Sequence, residues 1–182
     1  HVSALAAIEL PEAQAFPQKL ILKAASQITK GKETLLTAAP GQAGIMSAFR
    51  SLGFFCRAYE ALYPLSPFYN EIHRFFSDES DAPIRQIPAH SPDLGIRNVE
   101  NDRSQRGGYT LYVPEYYTAQ REWPLIVALH GGSGHGADFF WSWLKTARSR
   151  GAILIAPTSS GNTWSLSDPK TDGKAILRIT GE

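Results

Sequence analysis

The stretch Leu129-His130-Gly131-Gly132-Ser133-Gly134-His135-Gly136 holds the residues whose types and spacing best suit chemistry. Four glycines in so short a span let a backbone pass close to a ligand and aim N–H groups at it. Preorganised N–H donors are what a developing oxyanion requires. A glycine-rich turn between a strand and a helix can also be a tight turn and nothing more, or can cradle a phosphate. The order of residues is not that of a dinucleotide fingerprint, and no Lys-Ser/Thr pair follows as in a P-loop.

Ser133, His135 and Asp138 offer the side-chain types of a catalytic triad. They lie too close together on one loop to form a nucleophile, base and orienter beside a separate oxyanion site. His130, at the end of an apolar run, reads as a structural residue that hydrogen-bonds the loop. His73 and His90 stand alone and read as surface or helix-packing residues. No pair of His, Cys or carboxylates has the spacing of metal ligands, so no zinc site is expected, and no residue pattern calls for a cofactor.

The elements that position the loop follow from the hydrophobic pattern. Pro124 opens Leu125-Ile126-Val127-Ala128-Leu129, a continuous apolar run that predicts a strand buried on both faces of a parallel sheet. Residues 139–150 predict a helix stopped by Gly151, with positions 140, 143, 144 and 147 toward the sheet. Phe139, Phe140, Trp141 and Trp143 make this helix strongly aromatic. Ala152-Ile153-Leu154-Ile155-Ala156 predicts a second buried strand ending at Pro157. Strand, helix and strand at this distance make a βαβ unit with a right-handed crossover. The glycine loop then lies beyond the carboxyl end of a strand, where open α/β sheets bind ligands. Leu94-Gly95-Ile96-Arg97-Asn98-Val99 and Tyr109-Thr110-Leu111-Tyr112-Val113 predict two earlier strands, the second stopped by Pro114.

Upstream the pattern differs. Residues 16–76 read as helical. Leu20, Ile21, Ala24, Ala25 and Ile28 recur at helix spacing, with Gly31 as the expected stop. A second helix over 42–63 carries Ile45, Met46, Phe49, Leu52, Phe55, Cys56, Tyr59 and Leu62, and Pro64 ends it. A third, shorter helix is expected over 67–76. Cys56, the single cysteine, excludes an internal disulfide and reads as a small core residue. Residues 77–92, punctuated by Pro83, Pro88 and Pro92, look like a linker. The organisation is therefore a helical region over 1–77, a linker over 78–93 and an α/β region over 94–182.

Composition narrows the function classes. The chain has 182 residues, 43% hydrophobic and 19% charged, so a packed core is expected rather than disorder. A net charge of +1 with scattered signs does not suggest nucleic acid or an anionic membrane surface as a partner. No run approaches the length needed to span a bilayer, about 20 apolar residues. The start, HVSALAAIELPEAQA, lacks the cationic leader and apolar stretch of a signal peptide, and a cytoplasmic location is the expectation. The opening His1 and the close at Gly181-Glu182 suggest a fragment or a processed chain.

The order strand, His-Gly-Gly, helix, then a strand ending in Ala156-Pro157 resembles the front half of α/β-hydrolases. The nearest likeness is to the phospholipase/carboxylesterase group of esterases, with its dienelactone-hydrolase-like relatives. GGYTLYVP, from Gly107 to Pro114, and PTSSGNTW, from Pro157 to Trp164, resemble segments of that group. The likeness covers residues 94–182, about half of the chain. It implies the front half of an α/β-hydrolase sheet preceded by a small helical region. It also implies an oxyanion hole to which Gly132 contributes its N–H, with Gly131 and Ser133 shaping the turn, and Trp164 as a candidate wall of the substrate pocket. A small-molecule ester would be the substrate of a serine carboxylic-ester hydrolase, or of a related acyl or peptide hydrolase.

The family's G-x-S-x-G is nowhere in the sequence, and its chain order is Ser, then Asp or Glu, then His. The resemblance therefore puts nucleophile, acid and histidine beyond Glu182 and leaves no catalytic residue in this chain. It sets the strand over 125–129 centrally, next to the strand that leads to the nucleophile; without that neighbour an open edge would favour self-association. The alternative class is a non-catalytic interaction module, with the helical region as the functional part and the glycine loop as a turn.

Overall fold

A computed structural model of the chain describes residues 7, 11–78, 93–165 and 169–181. Residues 79–92, most of the expected linker including His90, lie outside the described residues, as do residues 1–6 and 8–10 of the stretch read against a signal peptide. The chain divides into two compact units, one through Phe76 and one from Ser77 onward.

The first unit is an α-helical hairpin. Helix α1 spans Glu12–Leu36 and helix α2 spans Gln42–Leu62. Gly31 does not stop α1, which runs on to Leu36. The glycine is buried at the contact with α2 instead. A Cβ there would sit 3.3 Å from both the Phe54 Cβ and the Ser51 carbonyl, so a larger residue would push the helices apart. The Ser51 hydroxyl donates to the Gly31 carbonyl at 2.8 Å, and Ala24, Ala58 and Ala61 form the buried cluster beside Leu62. Small residues thus let the two backbones approach closely. Cys56 is buried and forms no disulfide.

After α2 the chain turns through a 3-10 segment, Tyr63–Leu65, into a one-turn helix α3, Asn70–His73. The helix expected over 67–76 is thus a single turn flanked by turns. The aromatic residues here pack edge-on rather than along a helical face: Phe76 meets Tyr59 at 5.8 Å and Tyr63 at 5.3 Å between ring centroids. His73 is half-buried at the end of α3.

The second unit has α/β content with a four-stranded mixed sheet. Its strands are β1 (Gly95–Val99), β2 (Tyr109–Val113), β3 (Leu125–Val127) and β4 (Ile153–Pro157), in the spatial order β1-β2-β4-β3. β1 pairs antiparallel with β2, β2 antiparallel with β4, and β3 parallel with β4. Helix α4, Gly136–Arg150, connects β3 to β4 and packs on β4, so the expected strand-helix-strand unit is present. Helix α5, Pro169–Gly181, follows. The core joins Tyr112 from β2, Phe140, Leu144 and Ala147 from α4, and Leu154 and Ala156 from β4, none of them accessible to solvent.

In this unit two further expectations need correction. The run over 125–129 is not buried on both faces. Only β4 pairs with β3 among the described residues, and Leu125, Val127 and Leu129 are exposed. The apolar composition that sequence reading assigns to a central strand here belongs to an edge. Second, α4 begins at Gly136 rather than Phe139, and Trp143 is 40% exposed while Arg148 takes a buried place on the helix face. Arg148 can lie there because its guanidinium meets Glu115 at 3.3 Å, and that carboxylate also accepts from the Tyr112 hydroxyl at 2.7 Å.

No helix among the described residues is long and apolar enough to cross a membrane.

Candidate functional site

The glycine loop connects β3 to α4, and the turn after β4 lies against it. Pairing to β4 continues one residue past β3, where the Ala128 N–H donates to the Ile155 carbonyl at 2.8 Å. His130 follows and is 3% exposed. Its ring joins the two segments. Nε2 lies 3.1 Å from the Ser159 N–H, which can only donate, so Nε2 accepts. Nδ1 therefore carries the proton and donates to the Gly131 carbonyl at 2.7 Å. Burial holds the His130 pKa below the usual histidine value. The Arg106 and His135 charges push the same way, while the bond to Gly131 and the Asp172 carboxylate oppose. The imidazole is thus held neutral and fully bonded, and it has neither proton nor lone pair to spare for a substrate.

Two further N–H groups of the loop are tied down. The Gly134 N–H closes a turn onto the Gly131 carbonyl at 3.0 Å, and the Ser133 N–H donates to the Asn162 carbonyl at 2.6 Å. Ser133 sits at φ 58°, a left-handed conformation unusual for a residue with a side chain. The N–H groups of Gly131 and Gly132 donate to no acceptor among the described residues, and both glycines are exposed. Of the three residues expected to form or shape an oxyanion hole, Gly132 and Gly131 are exposed and their N–H groups have no acceptor among the described residues, while the N–H of Ser133 is committed within the fold.

The triad types in the loop are not brought together. His135 caps α4: its Nδ1 accepts from the Ala137 N–H at 3.1 Å, and its Nε2 donates to the Gln105 carbonyl at 2.8 Å. This cap is why the helix begins three residues earlier than its apolar pattern suggests. Asp138 pairs with Arg103 at 2.7 Å. Gly136 permits the close approach that follows, since a Cβ there would run into the Ala156 and Pro157 carbonyls. Its N–H donates to the Thr158 hydroxyl at 2.9 Å. That hydroxyl donates to Asn101 Oδ1 at 2.6 Å, and Asn101 Nδ2 donates to Thr110 Oγ1 at 2.9 Å. A buried polar chain therefore runs from the start of α4 through the turn after β4 to β2.

Trp164 reaches the loop. Its indole N–H donates to the His130 carbonyl at 2.8 Å, and its ring lies over the imidazole at 5.0 Å between centroids. The Ser165 N–H binds the buried carboxylate of Asp172 in the first turn of α5, which anchors the segment carrying Trp164.

Sequence reasoning missed Arg106, Asn101, Thr158 and Ser159. Thr158 and Ser159 fall within PTSSGNTW, but their partners are 22 to 57 residues away, and no local pattern marks such pairings. Among the described residues no group of three or more His, Cys, Asp or Glu is placed to hold a metal.

Comparison with protein-family models, with curated proteins and with solved structures returns no match to this chain.

Proposed function

We propose that the complete protein is a serine carboxylic-ester hydrolase of the α/β-hydrolase type and that this chain carries its oxyanion-hole loop. One observation carries the reading. In a loop held by the bonds of His130, Ser133 and Gly134, the N–H groups of the exposed Gly131 and Gly132 are left without an acceptor among the described residues, at the carboxyl end of a parallel strand and before a helix. Such a donor, fixed before the reaction, stabilises negative charge on a carbonyl oxygen at little reorganisation cost. The second donor would come from the residue after the nucleophile. In this reading the serine, acid and histidine lie beyond Glu182. The open edge of β3 accepts the strand that leads to the serine; left uncovered, it is a template for self-association.

Attack by the activated serine would give a tetrahedral oxyanion held by Gly132, then an acyl-enzyme and its hydrolysis. No residue of this chain moves a proton in these steps. Its part is to hold one donor still and, through Trp164, to shape the wall beside it. The fold does not fix the acyl group or the alcohol.

The test is turnover of short-chain p-nitrophenyl esters by the complete protein and by residues 1–182. We expect turnover only in the complete protein. Replacing Gly132 with Pro removes the N–H and should lower kcat on the order of a hundredfold or more. Circular dichroism checks that the variant folds. An unchanged rate in a folded variant refutes the assignment of Gly132. Turnover by residues 1–182 that vanishes in Ser133→Ala would replace the whole reading with a mechanism centred on Ser133.

A further inference from the structure

We propose that Arg106 is the positioning residue of the glycine loop, clasping the Gly134 carbonyl to the turn at Ser159 and so fixing where the Gly132 N–H points. Its consequence for rate rests on the oxyanion reading above; its consequence for the loop does not.

Four glycines within residues 131–136 leave this backbone more freedom than any other stretch of the chain, so its conformation must be imposed from outside. The guanidinium of Arg106 does so along one edge of its planar fork. Nε donates to the Ser159 carbonyl at 2.9 Å, while Nη2 reaches the Ser159 hydroxyl at 2.9 Å and the Gly134 carbonyl at 3.2 Å. The hydroxyl can accept because its own proton goes to the Gly161 carbonyl at 2.8 Å. One side chain therefore holds two segments 25 residues apart in sequence, the loop and the turn after β4.

Gly134 is the place where such a hold matters. Its N–H closes the turn onto Gly131, and its carbonyl faces the guanidinium, so both of its peptide groups are fixed. Between those points lies Gly132, whose N–H has no tie of its own. The direction of that N–H is thus inherited from its neighbours. Ser133 is bound to the Asn162 carbonyl and Arg106 holds the Gly134 carbonyl beyond it, so both residues that follow Gly132 are tied down. A lysine cannot reproduce this, because an ammonium is a point charge on a flexible stem without the fork's fixed geometry. The positive charge beside the loop also favours negative charge at its mouth.

Amide hydrogen exchange over residues 130–135 in Arg106→Gln and Arg106→Lys reads the clasp directly. We expect the Ser133 and Gly134 amides to exchange at least about tenfold faster in both variants, as for loss of a hydrogen bond with fixed geometry. In the complete protein, kcat for the p-nitrophenyl ester should fall about ten- to a hundredfold, as for a misplaced group, with KM within about twofold. Unchanged exchange in Arg106→Gln overturns the proposal, as does full restoration by Lys, which would make charge rather than geometry the cause. If Arg106→Gln does not fold, Ser159→Ala removes one acceptor of the clasp and should accelerate exchange in the same direction; no acceleration there also overturns it. Absence of ester turnover in the wild-type protein would refute the esterase reading and leave the exchange result to decide Arg106 alone.

Discussion

The two units are built on opposite plans. In the helical hairpin the small residues are inside and many large ones outside. Gly31, Ala24, Ala58 and Ala61 are buried, whereas Phe49 is 63% exposed and Leu52 57% exposed. In the α/β unit the large residues fill the core, with Tyr112, Phe140, Leu144 and Leu154 at zero exposure. Polar groups differ as well. The hairpin's interhelical contact includes one buried hydroxyl bond from Ser51, while the α/β unit runs a chain of bonds through Asn101, Thr110, Thr158 and the start of α4. The contrast explains where the candidate site lies. A backbone N–H can be held ready only where its neighbours are over-determined, and the α/β unit supplies that through burial and hydrogen bonding together. The hairpin's close helix contact specifies a shape and presents an apolar surface.

The sharpest way to break this comparison is to truncate one phenylalanine in each unit. Phe140→Ala removes a fully buried ring and should cost about 3–5 kcal/mol of stability, the range for such core truncations. Phe49→Ala should change stability by no more than about 0.5 kcal/mol, as expected for an exposed site. Urea unfolding of each variant measures both. Equal losses would mean that Phe49 is covered in solution and that the hairpin is not the inverted unit described.

A second substitution tests the hairpin by its own logic. Gly31→Leu inserts a side chain where even a Cβ meets Phe54 and Ser51, and should destabilise by about 1–3 kcal/mol through overpacking. Helix propensity alone predicts the reverse, a gain of roughly 1 kcal/mol from removing a glycine inside α1. The sign of the change in urea midpoint decides between packing and propensity.

The smallest effect is one of pH and belongs to the α/β unit. The folded pKa of His130 lies below its unfolded value of 6.5, chiefly through burial. Its contribution to stability is therefore complete above about pH 6.5, where both states hold it neutral. It declines as the pH falls toward the folded value, because the unfolded chain takes up the proton first. Protonation would also point an Nε2–H at the Ser159 N–H, two donors facing each other. Arg106 and His135 oppose the added charge and Asp172 favours it. His130→Gln should flatten the stability profile between pH 5 and 7 measured by thermal melts; an unaltered slope would remove His130 as its source.

What the residues determine by themselves is clearest in the α/β unit. The stops at Pro114 and Pro157, the apolar run of β4 and the glycine density between β3 and α4 are local, and each is legible because its physics is local: a missing N–H, a continuous buried face, a backbone without Cβ atoms. Helix α2 is equally plain from its three-four rhythm. Tertiary structure alone decided the rest. Gly31 reads as a helix stop until a second helix is laid against it. The run over 125–129 reads as central until its pairing is known, since apolar composition does not distinguish a strand with two neighbours from one with a single neighbour. Trp143 and Arg148 exchange the places that periodicity assigns them, because Glu115, itself held by the Tyr112 hydroxyl, pairs with the buried guanidinium. The bonds of His130 and Arg106 to Ser159 join residues that are 29 and 53 positions apart in sequence, and only folding brings them within hydrogen-bond distance.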